Sequence, residues 1–354
     1  MNTKILPIVR PPIIGYVHLA YPLSILLNYS ECLPWYYSNF IQLCCCKIPQ
    51  EANLYLRFYT TIKYIQRIPW LMYEYLHLDT IINNGFDIIK LICNYIDEGY
   101  YIYINVDELY ISQRGAYGRN HNTHANLVFG YDLSKKTFNI LGFAFDHKFR
   151  ESEVSFSDFE KAVRNYGISL QNKNMEDFNV MNFAMPLKYN SYAKYDFDME
   201  VVKKQIYDYL HSRNTTEFSP IFKNHLQFES ANAFGLDIYQ HFKRYLELML
   251  DDAREQDFVS LHVLWEHKKC MCSRIKYMMD NKYIPESFDT IYKNYCEIEH
   301  KTLSLRNHML KYIATNDKKV IVWIIKSIDE IAIKESSLLS DILDNMQVNE
   351  YAGK

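Results

Sequence analysis

Tyr100-Tyr-Ile-Tyr-Ile-Asn-Val-Asp-Glu-Leu-Tyr110, His124-Ala-Asn-Leu-Val-Phe-Gly-Tyr-Asp132 and Phe138-Asn-Ile-Leu-Gly-Phe143 decide the fold of the first half of this chain. The runs are rich in β-branched and aromatic residues and are separated by polar segments, so they predict three successive strands. Leu133-Ser-Lys-Lys136 is short enough to turn the second strand into the third as a hairpin. A histidine stands at the mouth of the middle strand. A base at a strand end is held more rigidly than one on a loop, which favours His124 over His121 in Gly118-Arg-Asn-His-Asn-Thr as a catalytic base.

Around this block the composition sets limits. With 354 residues the chain can bury one large core or two ordinary ones. A net charge of −3, without a lysine-arginine cluster, argues against a nucleic-acid surface. The 31 Tyr carry no functional weight by themselves. The N-terminus lacks the apolar core of a signal peptide, and Ala20 to Leu27 is short and interrupted by Pro22. No run approaches the roughly 20 apolar residues of a membrane span. Eight cysteines in a chain of this length then read as reduced thiols, and the expected location is the cytoplasm.

The pattern changes near residue 190. Short β-rich runs mixed with helices precede it, and amphipathic helical patterns follow over Asp198–His211, Leu236–Leu250, Phe258–Met279, Ser287–Ile313 and Lys318–Leu343. Pro285 precedes the fourth, and Thr315-Asn316-Asp317 supplies capping residues before the fifth. The expectation is an α+β domain over 1–190, an all-α domain over 191–347 and a tail over 348–354.

A nucleophile has to come from the cysteines. Cys32 lies in Asn28-Tyr-Ser-Glu-Cys-Leu-Pro-Trp-Tyr-Tyr-Ser-Asn-Phe-Ile-Gln-Leu43, where Ser30 can cap and Pro34 fits a first helical turn. That places the thiol at the positive end of a helix dipole, which favours the thiolate, although Glu31 opposes it. Cys44, Cys45 and Cys46 fall at the far end of the same pattern, Cys93 inside an apolar helix over Asp79–Tyr95, and Cys270, Cys272 and Cys296 in the C-terminal helices. His267-x-x-Cys270-x-Cys272 lacks a paired Cys-x-x-Cys and a fourth ligand, so no metal is expected, nor any other cofactor.

The residue that orients the histidine follows from hairpin counting. With the turn at 133–136, His124 faces position 145, and Asp146 is the nearest carboxylate. Asp132 lies eight residues along the strand, roughly 26 Å away, and cannot reach. Asn139 and Asn126 are polar fallbacks.

Asp97-Glu-Gly-Tyr-Tyr-Ile-Tyr-Ile-Asn-Val-Asp-Glu-Leu-Tyr110, with Tyr117 and His124 to Asp132, resembles the N-terminal domain of the butirosin-biosynthesis acyltransferase family, over roughly residues 15 to 165. That family is related to the papain-fold peptidases of the C39 type. The chain is also similar to the cysteine-protease homologue that forms amide bonds in closthioamide assembly. The resemblance implies a papain-like fold with Cys32 as nucleophile and His124 as base. It also implies two departures. Gly142 stands where the C39-type Asp would be, and Leu26 stands where the oxyanion glutamine would be, leaving Asn28 or backbone amides near Cys32 to hold the oxyanion.

The expected reaction is acyl transfer in natural-product biosynthesis. Cys32 attacks a phosphopantetheine thioester on an acyl or peptidyl carrier protein, and a small amine resolves the acyl-enzyme. The alternatives are a cysteine peptidase or amidase with the same site, and a non-catalytic scaffold. Trp35, Tyr36, Tyr37, Trp70, Tyr73 and Tyr75 fit an acyl channel or, more simply, core packing. The C-terminal helices fit three roles: docking a carrier protein, pairing with a second copy, or walling the cleft.

Overall fold

The computed structural model describes residues 2–47, 54–59, 68–166, 168, 183–216, 231–251 and 258–351. The protein is α+β, with an antiparallel sheet in its N-terminal part and a helical C-terminal region. In chain order the strands are β1 (Thr3–Ile5), β2 (Leu43–Cys46), β3 (Arg57–Phe58), β4 (Leu71–Tyr73) and β5 (Leu76–His77). They continue as β6 (Tyr101–Asp107), β7 (Thr123–Asp132), β8 (Thr137–Phe143), β9 (Phe149–Ser155), β10 (Phe183–Tyr189) and β11 (Asn232–Phe234). The helices are α1 (Val17–Leu26), α2 (Leu33–Ser38), α3 (Leu78–Asn83), α4 (Ile88–Asp97) and α5 (Phe156–Arg164). After them come α6 (Met199–Leu210), α7 (Ile238–Leu250), α8 (Val259–Asp280), α9 (Asp289–Thr315) and α10 (Lys318–Tyr351).

Two compact units emerge. One consists of Met1–Cys32 and Tyr64–Lys194, the other of Leu33–Lys63 and Tyr195–Lys354. The second unit therefore takes a segment from early in the chain as well as the helical half.

In the first unit the sheet runs β4-β10-β6-β7-β8-β9, with β1 added to β7 and β5 to β10, and these strands pair antiparallel. The three strands expected from sequence form as β6, β7 and β8. Asp132 closes their turn by accepting from the Ser134 and Lys135 amides, and Lys136 takes a left-handed φ of 54°. A register shift between Val128 and Gly130 moves the β7–β8 pairing by one residue, and the ladder ends at Leu127 and Leu141. His124 thus has no partner on β8. Gly130 sits against β1, where a Cβ would come within 2.8 Å of the Lys4 carbonyl oxygen, so only glycine lets that strand approach.

Helix α4 packs on β6 and β7, and α5 on β6 and β9. Ile88, Ile92 and Ile96 form the buried stripe of α4, and Phe159, Ala162 and Val163 that of α5. Each large apolar side chain fully buried in this way contributes about 1.5–3 kcal/mol. The apolar stretch Asp79–Tyr95 is not one helix but two, α3 and α4. Gly85 breaks it with a φ of 69°, and Asp87 caps the second by accepting from the Lys90 amide.

In the second unit, β11, β2 and β3 form a small sheet beside helices α6 to α10. The helix expected through Leu43 stops at Ser38, because Phe40 takes a φ of 58°, and Cys44, Cys45 and Cys46 lie on β2 rather than at a helix end. The five expected C-terminal helices form. Helix α9 ends on Asn316 with a φ of 52°, Asp317 accepts from the Lys319 amide at the next start, and α10 runs to Tyr351, past the expected tail boundary. Residues 352–354 lie outside the described residues.

Candidate active site at the mouth of strands β6 and β7

Strand β6 ends on Asp107, Glu108 follows it, and β7 begins beside them. Val106 pairs with His124 and Asp107 with Thr123, so the Asp107-Glu108 step lies beside the segment that carries both histidines. Asp107 is buried and accepts from the amides of Leu109 at 3.2 Å and Asn122 at 3.0 Å. Its second oxygen lies 2.5 Å from Nδ1 of His121. Glu108 opens the short helical turn Glu108–Tyr110 and is also buried. It sits 3.2 Å from Nδ1 of His124 and accepts from the Asn122 side-chain amide at 2.9 Å.

Each histidine is therefore backed by its own carboxylate. The His121 and His124 side chains remain 38% and 42% exposed, while those of Asp107 and Glu108 are 0% and 9% exposed. With Nδ1 turned to a carboxylate, Nε2 is the nitrogen left for a substrate, which is the arrangement of an oriented general base.

Behind the pair lies Arg114. Its Nε and Nη2 both donate to Oδ1 of Asn126, at 2.9 and 2.5 Å, and its Nη1 donates to Ser152 at 3.3 Å. Nε is also 3.9 Å from Glu108. Burial pulls the Arg114 guanidinium down from its ordinary pKa, and neighbouring Tyr21 and Glu108 act against this. The guanidinium also explains Gly142. A Cβ there would come within 2.8 Å of Arg114 Nη2 and 3.0 Å of the Tyr21 hydroxyl oxygen. The position that the resemblance reserves for an aspartate is thus crowded by an arginine.

Cys32 is elsewhere. It ends the turn Ser30–Cys32, is buried, and donates its amide to the Tyr29 carbonyl. Burial first, and Glu31 second, push its thiol up to about 12. Its surroundings include Tyr29 and Tyr189, whose rings stack at 3.6 Å. Tyr29 in turn neighbours Tyr101, the first residue of β6. His124 pairs with Val106, five positions further along that strand (106 − 101), which is about 17 Å. Cys32 and His124 therefore belong to opposite ends of β6.

The other expected site residues also have different occupations. The Asn28 side-chain amide donates to the carbonyls of Pro7, Ser24 and Ile25 and so pins local backbone. Asp146 lies beyond the end of β8, accepts from the Lys148 amide, and pairs with Lys148 and Arg150. The shifted register and the early end of the β7–β8 ladder leave it without contact to His124, and Glu108 takes the place expected of it. Asn126 serves Arg114, and Asn139 lies between Gly130 and Glu153 in the sheet. In the second unit, His267 Nε2 lies 2.6 Å from the Ile41 carbonyl, and Cys270 lies 2.9 Å from the Tyr36 hydroxyl.

Asp107, Glu108 and Arg114 are the residues that sequence reasoning missed. It is the β6–β7 register, not that of the tighter β7–β8 hairpin, that places Val106 opposite His124 and Asp107 opposite Thr123, with Glu108 against His124 and Asp107 against His121.

No protein-family model matches this chain, and no curated protein matches it.

Proposed function

We propose that this chain is a papain-like acyl-transfer protein of the butirosin type, and that its reaction centre is the His124–Glu108 pair. On this reading Nε2 of His124 takes a proton from a small amine as the amine attacks a thioester held by a carrier protein. The acyl group passes directly, without an acyl-enzyme on Cys32. The supporting observation is the 3.2 Å contact between buried Glu108 and Nδ1 of His124, which fixes the ring while leaving it 42% exposed. The raised thiol and its position near the start of β6 speak against Cys32 as the nucleophile. The protein would work in the cytoplasm. It has no helix, among the described residues, long and apolar enough to cross a membrane.

The test is amide formation from a panel of acyl thioesters and amines, followed by mass spectrometry of both product and protein. Cys32→Ala is expected to keep the wild-type rate within about twofold, and His124→Gln to lose on the order of 10²–10⁴. A covalent acyl adduct on wild type that disappears in Cys32→Ala, together with its activity, would restore the acyl-enzyme mechanism and sink this one. Tight binding of donor and amine without turnover would favour the scaffold reading. That second reading has one observation in its support, the crowding of Gly142 by Arg114.

A further inference from the structure

The second histidine at the same mouth has the features of a catalytic group. His121 lies in a loop, which by itself suggests an ordinary exposed side chain. Its carboxylate suggests otherwise. Asp107 is fully buried and already receives two backbone amides, and its remaining oxygen holds Nδ1 of His121 at 2.5 Å. Taking a carboxylate out of water is costly, and two amides with an imidazole are what compensate it here. Asp107 thereby fixes a ring that stays 38% exposed, as Glu108 fixes that of His124 at 42%.

The two rings also share a neighbourhood. Only Asn122 and Thr123 separate His121 from His124, so their Cα atoms, three steps apart, are at most about 11 Å from each other. Each imidazole extends several ångströms from its backbone, a reach comparable with that separation. The carboxylates come from adjacent positions, 107 and 108, so the two pairs are anchored to one end of one strand.

We propose that His121 is the general acid of the acyl transfer, complementary to His124 as base; this rests on the reading of the site given above. The amine nitrogen forms its bond to the acyl carbon while its proton passes to Nε2 of His124. The carbon–sulfur bond then breaks, and the departing thiolate takes a proton from Nε2 of His121. The products are an amide and a free thiol. His124 has gained one proton and His121 has lost one, and exchange with water restores both. No oxidant, reductant or metal enters the balance.

Leaving-group dependence tests the assignment. The acyl group that wild type transfers fastest is presented as its N-acetylcysteamine thioester and as its thiophenyl thioester, with the same amine. An alkyl thiolate benefits from protonation as it leaves, whereas a thiophenolate leaves readily without it. His121→Gln is expected to lose about 10²-fold on the alkyl thioester and less than about fivefold on the aryl one. His124→Gln should lose equally on both, because its proton comes from the amine. Activity of His121→Gln on the aryl ester also shows that the variant is folded. Equal losses of His121→Gln on both esters, or no loss on either, would overturn the acid role and leave the His124 reading standing. No transfer by wild type with any donor would remove the reaction, and the acid role with it.

Discussion

At the scale of single residues, burial decides which groups can react. Cys32 carries a thiol held up to about 12 by its apolar surroundings and by Glu31, so little of it is thiolate near neutral pH. Iodoacetamide at pH 8 should therefore label Cys32 in the native protein about 10³-fold more slowly than in urea, read by peptide mass mapping. Rapid native labelling would mean an accessible thiolate and would reopen its candidacy as nucleophile. The sign of the linked pH effect follows from the same shift. The folded state keeps this proton where the unfolded thiol, ordinary at 9.0, gives it up, so its contribution falls as pH rises from about 9 to about 12. His124 was legible from its place at a strand mouth, but its partner was not. The hairpin count assumed an unbroken β7–β8 register, which one irregularity between Val128 and Gly130 displaced. Arg114 was illegible for a different reason, since only three-dimensional packing shows that its guanidinium fills the space a side chain at 142 would need.

At the scale of secondary-structure elements, periodicity was a good guide wherever one face is buried. Helices α6 to α10 appeared as amphipathic runs because apolar residues recur at helical spacing along each. The run through Leu33–Leu43 misled because its apolar residues belong to a short helix and then to β2, with the reversal at Phe40 between them. Charged residues on buried helix faces carry more energy than the patterning suggests. Lys268 of α8 and Glu335 of α10 are both fully buried and 2.7 Å apart, and Glu335 also accepts from the hydroxyls of Tyr239, at 2.5 Å, and Tyr295. Burial lowers the Lys268 ammonium below its ordinary pKa, and Glu335 works to restore it. Lys268→Met strands the carboxylate in the helical core and should cost about 3–5 kcal/mol in urea unfolding. Lys268→Met with Glu335→Leu removes the stranded charge and should recover part of this loss, the tyrosine hydroxyls being left without their acceptor. A single Lys268→Met variant within about 1 kcal/mol of wild type would show that water or another cation already serves Glu335.

At the scale of the whole molecule, the change of pattern near residue 190 is visible in the sequence because β-rich runs give way to helices. The passage of Leu33–Lys63 into the second unit is not, because its partners lie far along the chain. Strand β2 pairs with β11, joining Cys44 to Phe234 and Cys46 to Asn232. Gln42 donates to the Arg213 carbonyl, and Arg274 donates to the carbonyls of Tyr37 and Asn39. No local periodicity encodes pairings at such separations, and their loop-closure entropy has to be offset by the contacts themselves. This arrangement makes truncation informative. A fragment of residues 1–194 keeps Leu33–Lys63 but loses every one of these partners, exposing the otherwise buried Leu43, Cys44 and Cys45 together with unpaired strand edges. It should bind 1-anilinonaphthalene-8-sulfonate strongly and elute as aggregates in size-exclusion chromatography. The same fragment with Leu33–Lys63 exchanged for a Gly-Ser linker of equal length should elute as a monomer and unfold in one transition. Monomeric, dye-silent behaviour of the unmodified 1–194 fragment would show that Leu33–Lys63 folds without the helical half. The division between the units would then have to be drawn at Lys194 alone.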